Sequence, residues 1–433
     1  MTSPEMINFP PYKNKIMRLK FIVPLLALVI LGCKNENKEN TESSAAETEA
    51  AIMRKADSLA QAYIITDGHI DLPYRLKAEG ITLITKENGA TVIDAGIGEF
   101  DFERSRKGGL DAPFMSVYIP SELQKEAGAK ALADSLIDLV ESIATTFPDQ
   151  YALAGSPADV EENFKAGKIS LPIGMENGAP IEGDIKNVAY FFDRGVRYIT
   201  LSHGMDNEIT DSSYDTTATY GGLSDFGRKV IEEMNRIGIM VDVSHISDNA
   251  FYDVMEVTKV PVIASHSSAR KFTPDFQRNM SDELIQALAE NGGVIQINFG
   301  SDFLDIESQE SGNRINEKFQ KELSDKGLSL NDSAAKPFME QFKKDNPYKF
   351  STVEKVADHI DHVVDLVGID YVGLGSDYDG VGDSLPEGLK DVSQYPNLIA
   401  ELLRRGYSDE DIAKICYKNV FRVWNAVLDH AGK

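Results

Sequence analysis

Eight short apolar runs constrain this chain more than any other feature. They are Ala62–Ile65, Phe114–Tyr118, Leu171–Met175, Val196–Leu201, Ile239–Val243, Val260–Ala264, Gly293–Ile297 and Tyr371–Gly375. Each has the length of a buried strand rather than of a helix. Between several of them lie amphipathic helical patterns, such as Leu132/Leu136/Leu139/Val140/Ile143 and Val356/Ile360/Val363/Val367. Strands alternating with helices imply an α/β fold with a parallel sheet, and eight such units predict a closed (β/α)8 TIM barrel. The periodicity alone leaves an open doubly wound sheet as a rival.

The residues at the C-terminal end of each run favour the barrel. The first leads into Asp67-Gly68-His69-Ile70-Asp71, where alternation turns His69 and Asp71 the same way. The third ends in Glu176, the fourth in His203, the fifth in His245, the sixth in His266, the seventh in Asn298 and the eighth in Asp377. Four of the seven histidines therefore sit at strand C-termini, the ends that converge on one mouth in a barrel. His359 and His362 lie at i, i+3 on the helical pattern Val353–Val367 and read as ordinary polar-face residues; His430 belongs to the C-terminal tail.

A ligand set of three histidines, one Asp and one Glu, with no Cys, suits Zn²⁺ or a similar divalent ion in a hydrolytic site. Five ligands exceed what one catalytic zinc takes, and a Glu can bridge two ions about 3.5–4 Å apart. A water between them would ionise near neutral pH and become a nucleophile. The residues alone thus point to a binuclear metallohydrolase.

The N-terminus lies outside this pattern. Met17-Arg18-Leu19-Lys20 is a basic leader start, Phe21 to Leu31 is an apolar stretch too short to span a bilayer comfortably, and Met17 is a candidate true start. The stretch closes on Ile30-Leu31-Gly32-Cys33, which resembles a bacterial lipobox, so Cys33 is the expected lipidation site of a signal peptide over residues 1–33. Residues 34–51 read as a solvated, flexible tether, and 52–433 as the catalytic barrel domain. The expected location is exported, lipid-anchored to a bacterial envelope membrane, with Lys34 arguing for the outer one. With Cys33 acylated, Cys416 has no intrachain partner, and its helical surroundings make it a buried apolar residue.

The net charge is −25; residues 1–32 carry four basic and one acidic residue, so removing them leaves −28. No basic patch is available to neutralise phosphates, which excludes nucleic acid as a partner.

The motifs carry a resemblance. Asp67-Gly68-His69-Ile70-Asp71-Leu72-Pro73, Gly174-Met175-Glu176-Asn177-Gly178, Thr200-Leu201-Ser202-His203 and Gly222-Leu223-Ser224-Asp225-Phe226-Gly227 occur in order. They are succeeded by Val241-Asp242-Val243-Ser244-His245, Ser265-His266-Ser267-Ser268-Ala269, Arg278-Asn279, Gly375-Ser376-Asp377-Tyr378-Asp379-Gly380 and Pro386-Glu387-Gly388-Leu389. This ordered set, over about residues 60–425, resembles the membrane (renal) dipeptidase family. The resemblance implies two Zn²⁺ ions, one on His69 and Asp71 and one on His245 and His266, with Glu176 bridging. It implies that His203 is not a ligand but stabilises the oxyanion, that Arg278 clamps the substrate's C-terminal carboxylate, and that Asp377 is the acid/base and meets the free ammonium, with Asp379 as its rival. The substrates implied are free dipeptides, with tolerance of a D-residue at the C-terminal position; a homodimer is implied by resemblance only.

Two departures stand out. Some relatives carry a substrate-contacting Tyr a few residues after the seventh strand, where Phe303 is the nearest match here. Residues 305–348 are longer than the mammalian pattern, polar, with a helical middle at Ile315–Leu323, and form an insertion on the mouth side, either a lid or a solvated excursion. Two other functions compete with the dipeptidase. Another binuclear barrel amidohydrolase acting on lactones, β-lactams or phosphoesters would open with His-x-His rather than His-x-Asp. A non-catalytic binding lipoprotein would have lost ligands that are all present here.

Overall fold

A computed structural model describes residues 36–125, 128–329 and 335–433. Eight strands form one all-parallel sheet in chain order: β1 (Ile65–Ile70), β2 (Leu110–Tyr118), β3 (Ile173–Glu176), β4 (Val196–Thr200), β5 (Met240–Asp242), β6 (Ile263–Ala264), β7 (Val294–Ile297) and β8 (Val372–Leu374). The ring closes at its C-terminal rim. Ile70 bridges Tyr378 in parallel, the Asp377 N–H donates to the His69 carbonyl at 3.1 Å, and the Asp71 N–H donates to the Tyr378 carbonyl at 2.9 Å. Buried Asp67 reinforces the seam, accepting from the backbone N–H groups of His69 at 2.9 Å and Ser376 at 3.0 Å and from the Tyr395 hydroxyl. Helices surround the sheet, and the expected TIM barrel is the architecture found.

Several boundaries differ from the apolar runs. Ala62 ends a helix, and the first strand is Ile65–Ile70, so His69 stands within it. Polar residues hid this strand, because Asp67 and the Nδ1 side of His69 find their hydrogen bonds inside the barrel rather than in water. Leu171 belongs to a separate two-stranded ribbon (Tyr151–Leu153 with Ile169–Leu171), and β3 starts only after Pro172.

The stretch expected to be a flexible tether is helical from Glu36, in a helix running to Ala62. Ala, Glu and Lys are strong helix formers, and Ala56, Leu59 and Ala60 at helical spacing are buried against the barrel. Cys33, the expected lipidation site, lies outside the described residues. Among them no helix is long and apolar enough to cross a membrane. Cys416 is buried and free, as its surroundings predict.

The insertion is a pair of helices, Ile306–Asp325 and Ala335–Asp345, sharing a small core of Phe319, Leu323 and Phe342. Tyr348 ties its far end back by donating to Asp302, and Lys349 N–H reaches Ser311 Oγ at 3.2 Å.

His359 and His362 correct the reading of them as polar-face residues, for both are buried. His359 Nδ1 accepts from the Ala269 N–H at 3.0 Å, and its Nε2–H donates to the Leu304 carbonyl at 2.9 Å. His362 takes Lys271 Nζ on Nδ1 at 3.1 Å and meets Asp282 through Nε2 at 2.7 Å. A helix period cannot show that loop backbone covers this face.

Burial pushes the His359 pKa down to about 4. That lies below the value of an exposed imidazole, about 6.5, so the unfolded chain binds more protons between the two. The stabilisation is therefore full above about pH 6.5 and is lost as pH falls through about 4, amounting at most to about 3 kcal/mol. A His359→Leu variant should be about 2–4 kcal/mol less stable at pH 7, with two backbone groups left unpaired. Urea unfolding at pH 7 and pH 4.5 should also show a smaller loss on acidification in the variant than in the parent.

Candidate active site

The strand ends bring every sequence-predicted metal ligand to one point. Glu176, at the end of β3, divides its carboxylate between two sides: Oε2 lies 3.3 Å from His69 Nε2, while Oε1 lies 3.0 Å from His245 Nε2 and 3.3 Å from His266 Nε2. Asp71 Oδ2 approaches His69 Nε2 at 3.4 Å. His203 Nε2 stands 3.7 Å from Glu176 Oε1, further out and partly exposed. Three groupings, His69/Glu176/His266, Glu176/His203/His245 and His69/Asp71/Asp377, each hold their ligand atoms within 4.8 Å of one another.

The hydrogen bonds behind the ligands fix which nitrogens carry lone pairs. Tyr198 donates its hydroxyl proton to the Gly68 carbonyl at 3.1 Å, so the oxygen accepts from His69 Nδ1 at 2.8 Å. Ser265 Oγ donates to Asp242 at 2.6 Å and accepts from His266 Nδ1 at 2.7 Å. In both rings Nε2 then presents a lone pair to the centre, where it meets carboxylate oxygens that are also acceptors. His69 Nε2 and Asp71 Oδ1 are buried and have no hydrogen-bond partner among the described residues. Acceptors facing acceptors require a cation between them, so the residues fit a divalent metal centre. Titration reflects the same field. Burial would lower the His69 pKa, yet Tyr198, Glu176 and Asp71 hold it well above the imidazole range, so a proton and a metal cation compete for the one lone pair on Nε2. Glu176 is held well below the carboxylate range despite burial, by His69 and the other histidines.

Backbone geometry aims these groups. His245 and Asp377 adopt left-handed φ values of 70° and 64°, uncommon for such residues and characteristic of positions held by their surroundings. Gly380 must be glycine, since a Cβ there would lie 2.2 Å from Asp377 Oδ1 and 2.3 Å from Asp71 Oδ2. Gly174 leaves the space that the Tyr198 ring fills, a Cβ there falling 2.0 Å from it.

The two aspartates of the eighth strand end separate clearly. Asp377 faces the site and accepts from Asn298 Nδ2 at 2.8 Å; burial, with Asp71 and Glu176 nearby and His69 opposing, pushes its pKa up to about 7. Asp379 turns away, receiving the Glu99 N–H at 2.8 Å and Arg75 Nε at 3.0 Å. Arg278 is buried beside the histidines, with Nη1 on Ser267 Oγ at 2.8 Å and Nη2 on the His266 carbonyl at 2.8 Å and His245 Nε2 at 3.0 Å. Phe303 packs under it, 5.3 Å from ring centroid to guanidinium carbon.

Residues 53–433 match the family model described as membrane dipeptidase (Peptidase family M19). The chain belongs to the membrane dipeptidase family. It is therefore a metallo-dipeptidase, a hydrolase of peptide bonds. It is 36% identical over 376 residues to Dipeptidase aclJ of Aspergillus oryzae, covering 85% of this chain and 79% of that one. It is 33% identical over 393 residues to Dipeptidase verJ of Clonostachys rogersoniana, covering 88% of each. Among solved structures, the probable dipeptidase PvdM of Pseudomonas aeruginosa superposes with a TM-score of 0.74 at 27% identity, over 88% of this chain and 100% of that one.

In this membrane dipeptidase, three residues of the site escaped sequence reasoning. Tyr198 is an inward-facing polar aromatic in β4, opposite Gly174, a pairing that alternation alone could have flagged. Tyr118 ends β2 with its ring edge-on to His203 at 4.8 Å, and the second strand end was the one left without a role. Tyr214 comes from a loop and carries no periodic signal.

Replacing Tyr198 by Phe removes the acceptor that fixes the His69 tautomer. The expected outcome is a metal affinity weaker by about 10–100-fold, read by competition with a chelator of known affinity, with little change in secondary structure.

Proposed function

We propose that this membrane dipeptidase is a binuclear zinc enzyme that hydrolyses free dipeptides, accepts a D-residue at the C-terminal position, and is held to a bacterial envelope membrane through lipid on Cys33. The division of the Glu176 oxygens between His69 on one side and His245 and His266 on the other carries the reading of a shared ligand. His69 and Asp71 would hold one ion and His245 and His266 the other. Bound divalent ions supply Lewis acidity and a water acidic enough to ionise near neutral pH.

The chain's own groups do the rest. Asp377, its pKa pushed up to about 7, is suited to take a proton and return it to the leaving amine at neutral pH, and Asn298 orients it. His203 has its pKa lowered, first by burial, and so presents a neutral imidazole able to hydrogen-bond the oxyanion. Arg278 receives the substrate's carboxylate, and its planar fork suits that partner. A substrate read at both ends by Asp377 and Arg278 is a dipeptide, since a longer chain would place its carboxylate beyond the guanidinium.

The test is a panel of L,L- and L,D-dipeptides with one tripeptide, assayed before chelation, after it and after Zn²⁺ is restored. Chelator-sensitive cleavage of dipeptides with the tripeptide spared is expected. Equal cleavage of the tripeptide would overturn the two-ended reading. An Asp377→Asn variant should lose at least about a hundredfold in kcat while keeping its metal content, measured by elemental analysis.

A further inference from the structure

Tyr214 has a hydroxyl that no described residue engages. It lies in the 201–224 loop between β4 and the helix Asp225–Ile237, and that loop is pinned to the site at two places. The Ser213 N–H donates to the His245 carbonyl at 2.7 Å, and Ser212 Oγ donates to the His203 carbonyl. The Tyr214 ring consequently sits 5.9 Å from the His245 ring and 6.1 Å from Phe276, centroid to centroid. Phe276 in turn stands 5.6 Å from Phe303, which underlies Arg278. Tyr214, Phe276 and Phe303 thus form a run of rings from His245 to the Arg278 guanidinium, and only Tyr214 among them has a hydroxyl. Among the described residues that hydroxyl makes no hydrogen bond, and it is not sealed from solvent. Arg278 is likewise unsaturated: its Nε–H is buried without a partner among the described residues, although Nη1 and Nη2 are engaged.

Arg278 Nη2 lies 3.0 Å from His245 Nε2, so a buried guanidinium with an unused donor and a phenol with an unused donor flank the same imidazole, an arrangement that suits an anion with several lone pairs. We infer that Tyr214 donates its hydroxyl to the substrate's C-terminal carboxylate alongside Arg278 and sets the preference for a free carboxylate over a carboxamide. This rests on the dipeptide reading above. A phenol ionises only at about pH 10, so the Tyr214 hydroxyl is a proton donor at neutral pH. Phe303 supplies a ring under the clamp but no donor, which leaves Tyr214 as the hydroxyl on this wall.

The experiment compares L-alanyl-L-alanine with L-alanyl-L-alaninamide, using the metal-loaded parent and Tyr214→Phe. The variant keeps the ring against His245; melting temperature and metal content establish that fold and centre are intact. For the dipeptide, KM should rise about tenfold with kcat within about twofold, the loss of one hydrogen bond to a charged group. For the amide, kcat/KM should change less than about twofold. An unchanged KM for the dipeptide, or an equal loss on both substrates, would overturn the inference, the latter showing that the ring merely supports His245. A parent that binds metal but cleaves no dipeptide would overturn the dipeptide reading itself and this assignment with it.

Discussion

The Glu176 carboxylate, buried between imidazoles on two sides, is the constraint on which the rest of the site depends. An isolated buried carboxylate is strongly disfavoured, and neutral imidazoles with lone pairs turned toward it make matters worse unless positive charge enters. The hydrogen bonds behind His69 and His266 commit those rings to that arrangement before any cation arrives. Folding therefore builds a site that is incomplete by itself, and the missing element is a cation of the kind such donors bind.

Holding that arrangement requires a rigid rim. The seam between β1 and β8 is where the barrel could open most easily, and it is where Asp67 collects two backbone N–H groups and the Tyr395 hydroxyl. The same seam delivers Asp71 from one strand and Asp377 from the other, so closure of the barrel and assembly of the site are a single event. The left-handed residues at this rim and at His245 are tolerated because the surrounding bonds over-determine them.

Asp377 and Asp379 show how little separates a site carboxylate from a structural one. Two residues apart, both with left-handed backbones, they differ in what they face. Asp379 is taken by Arg75 and the Glu99 backbone, and burial beside it raises the Glu99 pKa to about 10. Asp377 is left with one neutral donor, Asn298, and a field from the surrounding carboxylates, His69 and Arg278. Alternation would have sent both the same way; the tight Asp377–Gly380 turn, with the Gly380 N–H on the Asp377 carbonyl at 3.0 Å, does not.

The sequence by itself determined the class of the fold and the chemistry at the strand ends. Buried strands must be short and apolar, and the mouth of a parallel barrel is where their C-termini meet, so His69, Glu176, His203, His245, His266 and Asp377 could be placed together from their positions alone. Tertiary structure decided what depends on partners distant in sequence. It turned Asp379 away, buried His359 under loop backbone and His362 between Lys271 and Asp282, and packed the helix that contains residues 36–51 through Ala56, Leu59 and Ala60 further along it. It also moved the first strand onto polar residues and brought Tyr198, Tyr118 and Tyr214 to the site. Local pattern reports which residues avoid water; it cannot report which buried polar group will find which donor, because that choice is made only when the barrel closes.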